Sequence, residues 1–170
     1  MGKKINPTVA IIDSQSVKTV QSGNQRGFDA GKKTKGRKRH IAVDTMGFLL
    51  AIVVHAASIQ DRVGARALLL RLSFQFTSIV KIFADGGYTG KLVDWTCHMF
   101  HWTLTIIKRC ETGFKILPKR WIVERTFGWL NFNRRLSKDF EKTTTSSETM
   151  VKIAMIRLML WRVPRKPDTR

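Results

Sequence analysis

The chain has 170 residues, 43% of them hydrophobic, which suits one domain with a substantial core and leaves too little for two. Its formal net charge of +19, from 31 Lys and Arg against 12 Asp and Glu, exceeds what solubility requires and favours a polyanionic partner, with nucleic acid as the first choice. No apolar run reaches the roughly 18 residues of a membrane-spanning helix and no charged-then-apolar leader follows Met1, so we expect an intracellular protein outside the membrane.

The first predicted strand is the apolar run at residues 9–12, which ends in the carboxylate of Asp13. The same pattern recurs at residues 79–84, where the run ends in Asp85 and two glycines follow at once. If these two strands are parallel neighbours, their spacing of about 4.8 Å would let the two carboxylates share a divalent cation. The alternative is that each aspartate is an ordinary turn residue.

A strongly basic segment follows at residues 18–39, where only Asp29 opposes the positive charge. It has no apolar periodicity, which predicts a loop that either stays in solvent or lies along the phosphates of a nucleic acid. Because the segment leads directly into a predicted strand at residues 39–43, we favour phosphate contact. The expected DNA-binding residues of this segment are Lys32, Lys33, Lys35, Arg37, Lys38 and Arg39.

An antiparallel hairpin is predicted next, because residues 40–44 and 48–54 flank a short turn-prone linker. A turn role is sufficient to explain Asp44 at the end of the first strand. Asp61 stands just before a helical repeat at residues 62–72, and we expect it to be the N-cap of that helix.

Residues 91–100 predict a short helix, and residues 104–107 predict the last strand. Four potential zinc ligands lie in and around these elements: Cys97, His98, His101 and Cys110. Their spacing matches no common Cys and His pattern, so we expect surface histidines and a free cysteine instead. Two cysteines cannot form a disulfide framework, which is typical of a reducing compartment.

A long helix is predicted at residues 118–140, since proline is acceptable in a first turn. Glu124 projects from a basic face of this helix. The other residues on that face are Arg120, Asn131 and Arg135. An Arg120 and Glu124 surface pair is the alternative to a functional carboxylate. Gly128 costs about 1 kcal/mol relative to Ala in a helix interior, which suggests that another group approaches closely there.

The last predicted helix, at residues 147–162, is apolar on nearly every side, so we expect it to be buried and to close the core. A basic tail at residues 164–170 follows. We therefore expect one domain at residues 1–163, including the basic loop, and a short tail after it.

Together the chain predicts the element order β-β-β-α-β-α-β-α and three carboxylates, at Asp13, Asp85 and Glu124, in a basic setting. Three carboxylates can bind two Mg²⁺ ions. Two such ions can hold the attacking and leaving oxygens of a phosphodiester displacement.

Four sets of motifs carry a resemblance to a known family. They are IDSQSVK at 12–18, GFDAGKKTKGRKRH at 27–40 with VDTMG at 43–47, FADGGYTG at 83–90, and RWIVERTFGW at 120–129 with RRL at 134–136. In this order they resemble the DDE transposases of bacterial insertion sequences, in the branch akin to insertion sequence five. The motifs cover nearly the whole chain.

The resemblance implies an RNase H-like α/β fold, with a mixed five-stranded sheet flanked by helices. It also implies that Asp13, Asp85 and Glu124 are the catalytic ligands of two Mg²⁺ or Mn²⁺ ions. Activated water would cut the ends of the element, and the freed 3′-hydroxyl would then attack target DNA. Trp121 and Trp129 could stack on a flipped base, although we favour packing in the core.

Among DNA contacts, the family's arginine four residues before the glutamate is matched by Arg120. Its tyrosine and lysine, seven residues before and after the glutamate, are replaced by Leu117 and Asn131. The basic residues that could substitute for them are Arg134, Arg135 and Lys138.

Family members usually carry an N-terminal helical region that recognises the terminal repeats, whereas Asp13 lies twelve residues from Met1. The expected partners are therefore the element ends, target DNA, a separate N-terminal recognition region or upstream-frame product, and further copies of the chain. Two alternatives stay open. The chain could be an RNase H-like nuclease, which would leave cut ends without joining them, or a truncated or inactive DNA-binding remnant.

Overall fold

The structure is a computed structural model that describes residues 6–20, 25–107 and 119–162. Some of the predictions lie outside these residues: those for Cys110, for Leu117, for the first residue of the long helix and for the basic tail at residues 164–170.

A mixed sheet forms the centre of the described chain. Its strands are β1 (Val9–Lys18), β2 (Gly27–Asp29), β3 (Thr34–Val43), β4 (Leu49–Ala56), β5 (Lys81–Asp85) and β6 (Thr103–Ile107). Five strand positions follow one another in the order β4, β3, β1, β5 and β6, and the short β2 pairs with the start of β3 on the same side as β4. β1 is antiparallel to β3 and parallel to β5, and β5 is parallel to β6. The predicted mixed five-stranded sheet is thus confirmed.

Helices cover both faces of this sheet. They are α1 (Asp61–Gln75), α2 (Lys91–Phe100), α3 (Arg120–Asn131) and α4 (Thr144–Arg162). Because successive strand residues point to opposite faces, Ile12 packs with α1 and α2, whereas Ile11 packs with α3 and α4. None of the helices in the described ranges is long and apolar enough to cross a membrane.

The predicted hairpin is confirmed, since β3 and β4 are antiparallel neighbours. Its turn depends on Asp44, whose Oδ1 accepts hydrogen bonds from the backbone N–H of Met46 at 2.8 Å and of Phe48 at 2.9 Å. Gly47 has a φ of 87°, which a side chain would disfavour. The turn role assigned to Asp44 is therefore correct.

The predicted loop at residues 18–39 is wrong in its second half, where β3 begins at Thr34. Arg37, Lys38 and Arg39 are 1%, 4% and 1% exposed, respectively. Arg37 lies 3.4 Å from Asp139 and also donates to the carbonyl oxygens of residues 141–143. Arg39 donates to the carbonyl of Leu136 at 2.8 Å. Acceptors inside the protein thus bind Arg37 and Arg39. The sequence had instead predicted that these side chains contact phosphates.

The helix predicted at residues 118–140 is shorter, because α3 ends at Asn131. After a 3₁₀ turn at Arg134–Leu136, the backbone of Asp139 bonds to β1 and its continuation, with its N–H 2.8 Å from the Lys18 carbonyl. The buried carboxylate of Asp139 also accepts from Ser147 at 2.8 Å. These hydrogen bonds hold Asp139 against the sheet, so the chain after Asn131 does not continue as a helix.

Three smaller expectations are also wrong. The N-cap of α1 is Gln60, and Asp61 is the first helical residue. A Cβ on Gly128 would meet nothing within 4 Å, so no group approaches closely there. The last helix is not buried on all sides, since Leu160 and Trp161 are 67% and 78% exposed. By contrast, Cys97 is an exposed free thiol, as expected.

Candidate active site

The parallel pairing of β1 and β5 sets the geometry of the candidate site. Its register runs from Val9 opposite Lys81 to Ile11 opposite Phe83. Asp13 and Asp85 lie two residues beyond the last of these pairs, so the two carboxylates occupy equivalent positions on neighbouring strands. Asp85 is the last residue of β5, as predicted. Asp13 is not at a strand end, because β1 continues to Lys18 along β3.

Backbone donors orient both carboxylates. The N–H of Ser14 donates to Asp13 Oδ1 at 2.7 Å, and the N–H of Gly87 donates to Asp85 Oδ1 at 2.9 Å. A Cβ on Gly87 would lie 3.1 Å from that same oxygen, so glycine permits this close approach. Asp85 therefore also has the turn role that the sequence left open, as the cap of the 3₁₀ turn at Gly86–Tyr88.

Burial and the neighbouring negative charge of Asp85 raise the pKa of Asp13 to about 6, against the opposing effects of the Ser14 N–H and of Lys32 and Arg120. Burial also raises the pKa of the Tyr88 phenol, and the charges of Asp13, Asp61 and Asp85 act in the same direction. Three acids thus act on one buried phenol. A cation added beside them would be attracted by their charge.

Arg120 links the third predicted acid to this pair. Its Nη2 lies 3.5 Å from Asp85 Oδ2, and its Nε lies 3.0 Å from Glu124 Oε1. The surface pair that the sequence allowed is therefore present, with the Glu124 side chain 55% exposed. In the described ranges, no three His, Cys, Asp or Glu side chains lie close enough together to hold a metal ion. The guanidinium supplies the positive charge between Asp85 and Glu124.

The donor chemistry of these residues fits a hard divalent cation. Carboxylate oxygens are the side-chain ligands that Mg²⁺ prefers, and Asp13 and Asp85 supply them from neighbouring strands. Asp13 and Asp85 are the neighbouring carboxylates of this kind, and Glu124 lies beyond Arg120.

The predicted DNA-binding residues fall into two groups. Arg37, Lys38 and Arg39 are buried and bonded inside the protein, so we withdraw them as DNA contacts. The exposed group consists of Lys32, Lys33, Lys35, Arg134 and Arg135. Arg120, with its side chain 17% exposed, lies at the carboxylates themselves.

The tryptophans of α3 stack on arginines. The Arg125 guanidinium lies 4.5 Å from the Trp121 ring and 4.7 Å from the Trp129 ring. Trp121 is 42% exposed, so the core packing favoured from the sequence is wrong for this residue.

Sequence reasoning missed a layer of polar residues behind the carboxylates. Ser14 donates to Asp61 at 3.0 Å, and the Tyr88 hydroxyl lies 3.3 Å from His40 Nδ1. Burial, together with the nearby His55, lowers the pKa of His40 to about 3, so the ring is neutral. A Cβ on Gly64 would lie 2.2 Å from His55 Nε2, which explains a glycine inside α1. No local pattern signals these contacts, because the partners are distant in sequence.

The fold is that of retroviral integrase catalytic cores, which is RNase H-like. The catalytic core domain of BIV integrase is similar with a TM-score of 0.55 and 15% identity, over 90% of this chain and 84% of that one. The HTLV-2 integrase catalytic core domain in complex with magnesium has a TM-score of 0.52 and 15% identity, over 91% and 86%. A chain of the simian T-cell lymphotropic virus intasome, in complex with PP2A regulatory subunit B56 gamma, has a TM-score of 0.54 and 15% identity. The match covers all of this chain and 61% of that one.

Sequence comparison then gives the family. Residues 5–159 match the Transposase DDE domain, and the chain belongs to that family. No curated protein matches the sequence. The resemblance seen in the motifs is thus confirmed at the level of the DDE transposase family, whose chemistry is phosphoryl transfer.

The raised pKa of Asp13 predicts a pH-dependent effect of Asp13→Asn on the metal-free protein. At about pH 8 the wild type carries a buried charge that the amide removes, so the variant should be more stable by about 1 to 2 kcal/mol. Because the folded pKa is raised, the wild type gains stability as the pH falls through about 6. The difference should therefore shrink as the pH falls through about 6 and disappear at about pH 3 and below, where Asp13 is protonated in both states.

Thermal unfolding in EDTA at several pH values measures this difference. Asp94→Asn, which likewise removes one carboxylate but at an exposed position on α2, is the matched control. An Asp13→Asn variant less stable than the wild type at about pH 8 would contradict the electrostatic assignment.

Proposed function

We propose that residues 1–163 form the catalytic domain of a bacterial insertion-sequence transposase, in the branch akin to insertion sequence five. The domain would cut the ends of its element and join them to target DNA. The observation that carries this proposal is the placement of Asp13 and Asp85 side by side on parallel strands, with Glu124 joined to Asp85 through Arg120. Membership of the DDE family supports it.

We further propose that Asp13, Asp85 and Glu124 hold two Mg²⁺ or Mn²⁺ ions. Such ions, when bound, activate the attacking oxygen and stabilise the leaving oxygen of a phosphodiester displacement. The chain's own contribution is orientation: the Ser14 and Gly87 N–H groups fix the two aspartates. Arg120 compensates Asp85 and Glu124 without metal. In this proposal it also contacts a DNA phosphate beside them.

The proposed DNA surface consists of Arg120 and the exposed basic residues, namely Lys32, Lys33, Lys35, Arg134 and Arg135. Lys32 lies near the acids as well, since its Nζ donates to the carbonyl of Ser14, the residue after Asp13, at 2.9 Å. The proposed partners are the element ends, target DNA and an N-terminal recognition region or upstream-frame product. A similar retroviral chain occurs in an intasome, which supports the proposal that copies of this chain also act together.

Two rival functions make different predictions. An RNase H-like nuclease would use the same acids and leave cut ends. An inactive DNA-binding remnant is favoured by a single observation, the position of Glu124 on the far side of Arg120 from Asp85.

Strand joining distinguishes these functions. The chain, with and without its upstream-frame product, is incubated with labelled element ends, target DNA and Mn²⁺. We expect joined products from the wild type and a loss of at least about a hundredfold in Asp85→Asn and in Glu124→Gln, because each change removes a charge that supports the transition state. Asp94→Asn should join normally.

Joining that survives Asp85→Asn would exclude the assignment of the acids. Cut ends without joined products would favour the nuclease, and DNA binding without any cutting would favour the remnant.

Because some basic residues are exposed and others are buried, their substitution should change the salt dependence of DNA binding differently. Lys33→Ala with Lys35→Ala should weaken duplex binding and reduce the slope of log K against log salt by about 1.8, because each neutralised phosphate contributes roughly 0.9 to that slope. Arg39→Met, the matched control, should lower thermal stability and leave the slope unchanged, because Arg39 is buried. Binding measured by fluorescence anisotropy at several salt concentrations checks both. An unchanged slope in the double lysine variant would place the DNA elsewhere.

A further inference from the structure

A second layer of charged and polar groups lies directly behind Asp13. Ser14 follows Asp13 on β1, and its side chain points to the opposite face of the sheet, toward α1. The Ser14 side chain is buried, and its Oγ donates to Asp61 Oδ1 at 3.0 Å. Asp61 is the first residue of α1 and lies 47 positions further along the chain.

The contacts continue from Asp61 into a closed ring. Lys38 Nζ lies 2.9 Å from Asp61 Oδ1 and 3.3 Å from Asp29 Oδ2. Asp29 Oδ1 accepts from the backbone N–H of Lys32 at 3.1 Å. The Lys32 ammonium then donates to Ser14, to its carbonyl at 2.9 Å and its Oγ at 3.3 Å. We call Ser14, Asp61, Lys38, Asp29 and Lys32 the polar ring.

The polar ring joins five parts of the fold. Ser14 belongs to β1, Asp29 to β2, Lys38 to β3 and Asp61 to α1. Lys32 comes from the turn between β2 and β3. Strands β2 and β3 pair at only three positions, so the ring adds side-chain contacts that hold this turn against β1.

Stability alone is a weak reason for such a ring. Lys38 is 4% exposed, and desolvating a buried ion pair often costs as much as its attraction returns. What the ring does fix is the position of the groups around Ser14. Ser14 is bonded through its backbone N–H to Asp13, through its hydroxyl to Asp61 and through its carbonyl to Lys32. Ser14 thereby fixes the positions of both the Asp13 carboxylate and the Lys32 ammonium.

We propose that Asp61 is a positioning residue of the active site, which acts through Lys38 and Ser14 to hold Asp13 and the Lys32 turn in register. The Oδ1 atom of Asp61 contacts both Ser14 and Lys38, so this oxygen is engaged within the polar ring. That Asp13 is a metal ligand rests on the proposed function. The placement of the turn does not depend on it.

Hydrogen–deuterium exchange of the full metal-free chain tests the placement. Asp61→Asn and Ser14→Ala should each speed exchange of the backbone amides at residues 29–33 by about tenfold or more, since opening this turn then breaks fewer hydrogen bonds. The double variant should show no further increase. Exchange at residues 68–72, in the buried part of α1, should stay at the wild-type rate in all three.

Asp94→Asn is the matched control, because Asp94 also lies in the first turn of a helix and is exposed. Unchanged exchange at residues 29–33 in Asp61→Asn would overturn the proposal. Equal acceleration at residues 29–33 and 68–72 would also overturn it, since Asp61 would then be a general stability residue.

Mn²⁺ binding, followed by electron paramagnetic resonance without DNA, tests the link to Asp13. Asp61→Asn and Ser14→Ala should each weaken Mn²⁺ binding by about tenfold, as outer-layer changes at metal sites commonly do. The double variant should bind as weakly as either single one. Additive losses would overturn the proposal, because Asp61 would then act independently of Ser14. A wild type that binds no Mn²⁺ would refute the proposed function, and the exchange result would still decide the role of Asp61.

Discussion

The parallel pairing of β1 with β5 is the constraint on which the candidate site depends. It sets Asp13 and Asp85 at equivalent positions on adjacent strands, where burial and the charge of Asp85 raise the pKa of Asp13 to about 6. The surrounding groups orient and compensate these acids. Two backbone N–H groups orient the acids, and Arg120 brings a positive charge to Asp85 and Glu124. Two acids of a basic chain thus lie side by side on the sheet.

The net charge of +19 is not all available for DNA. Arg37 and Arg39 satisfy carbonyl oxygens of the segment after α3, and Lys38 lies between Asp29 and Asp61. These buried side chains tie distant segments to the sheet. The exposed lysines of the β2–β3 turn stand next to them in sequence, so one basic motif supplies both buried structural contacts and an exposed basic surface.

Much of the fold could be predicted because β1 and β5 begin as apolar runs that end in an acid, and because Gly47 marks the hairpin turn. The start of β3 could not, since apolar periodicity cannot reveal a strand whose buried residues are Arg37 and Lys38. The partner that accounts for Arg37, Asp139, lies 102 positions away. Separation along the chain also concealed the contact of Ser14 with Asp61 and the early end of α3. The neighbouring positions of Asp13 and Asp85 were predictable from sequence, and the contacts that orient them were not.

Anomalous diffraction from crystals of the chain grown with Mn²⁺ tests most directly whether the paired acids hold a cation. We expect a peak within coordination distance of the Asp13 and Asp85 carboxylates, with the Arg120 guanidinium displaced from Asp85. An Arg120 still bonded to both Asp85 and Glu124, with no peak beside Asp13, would contradict a cation site at these acids.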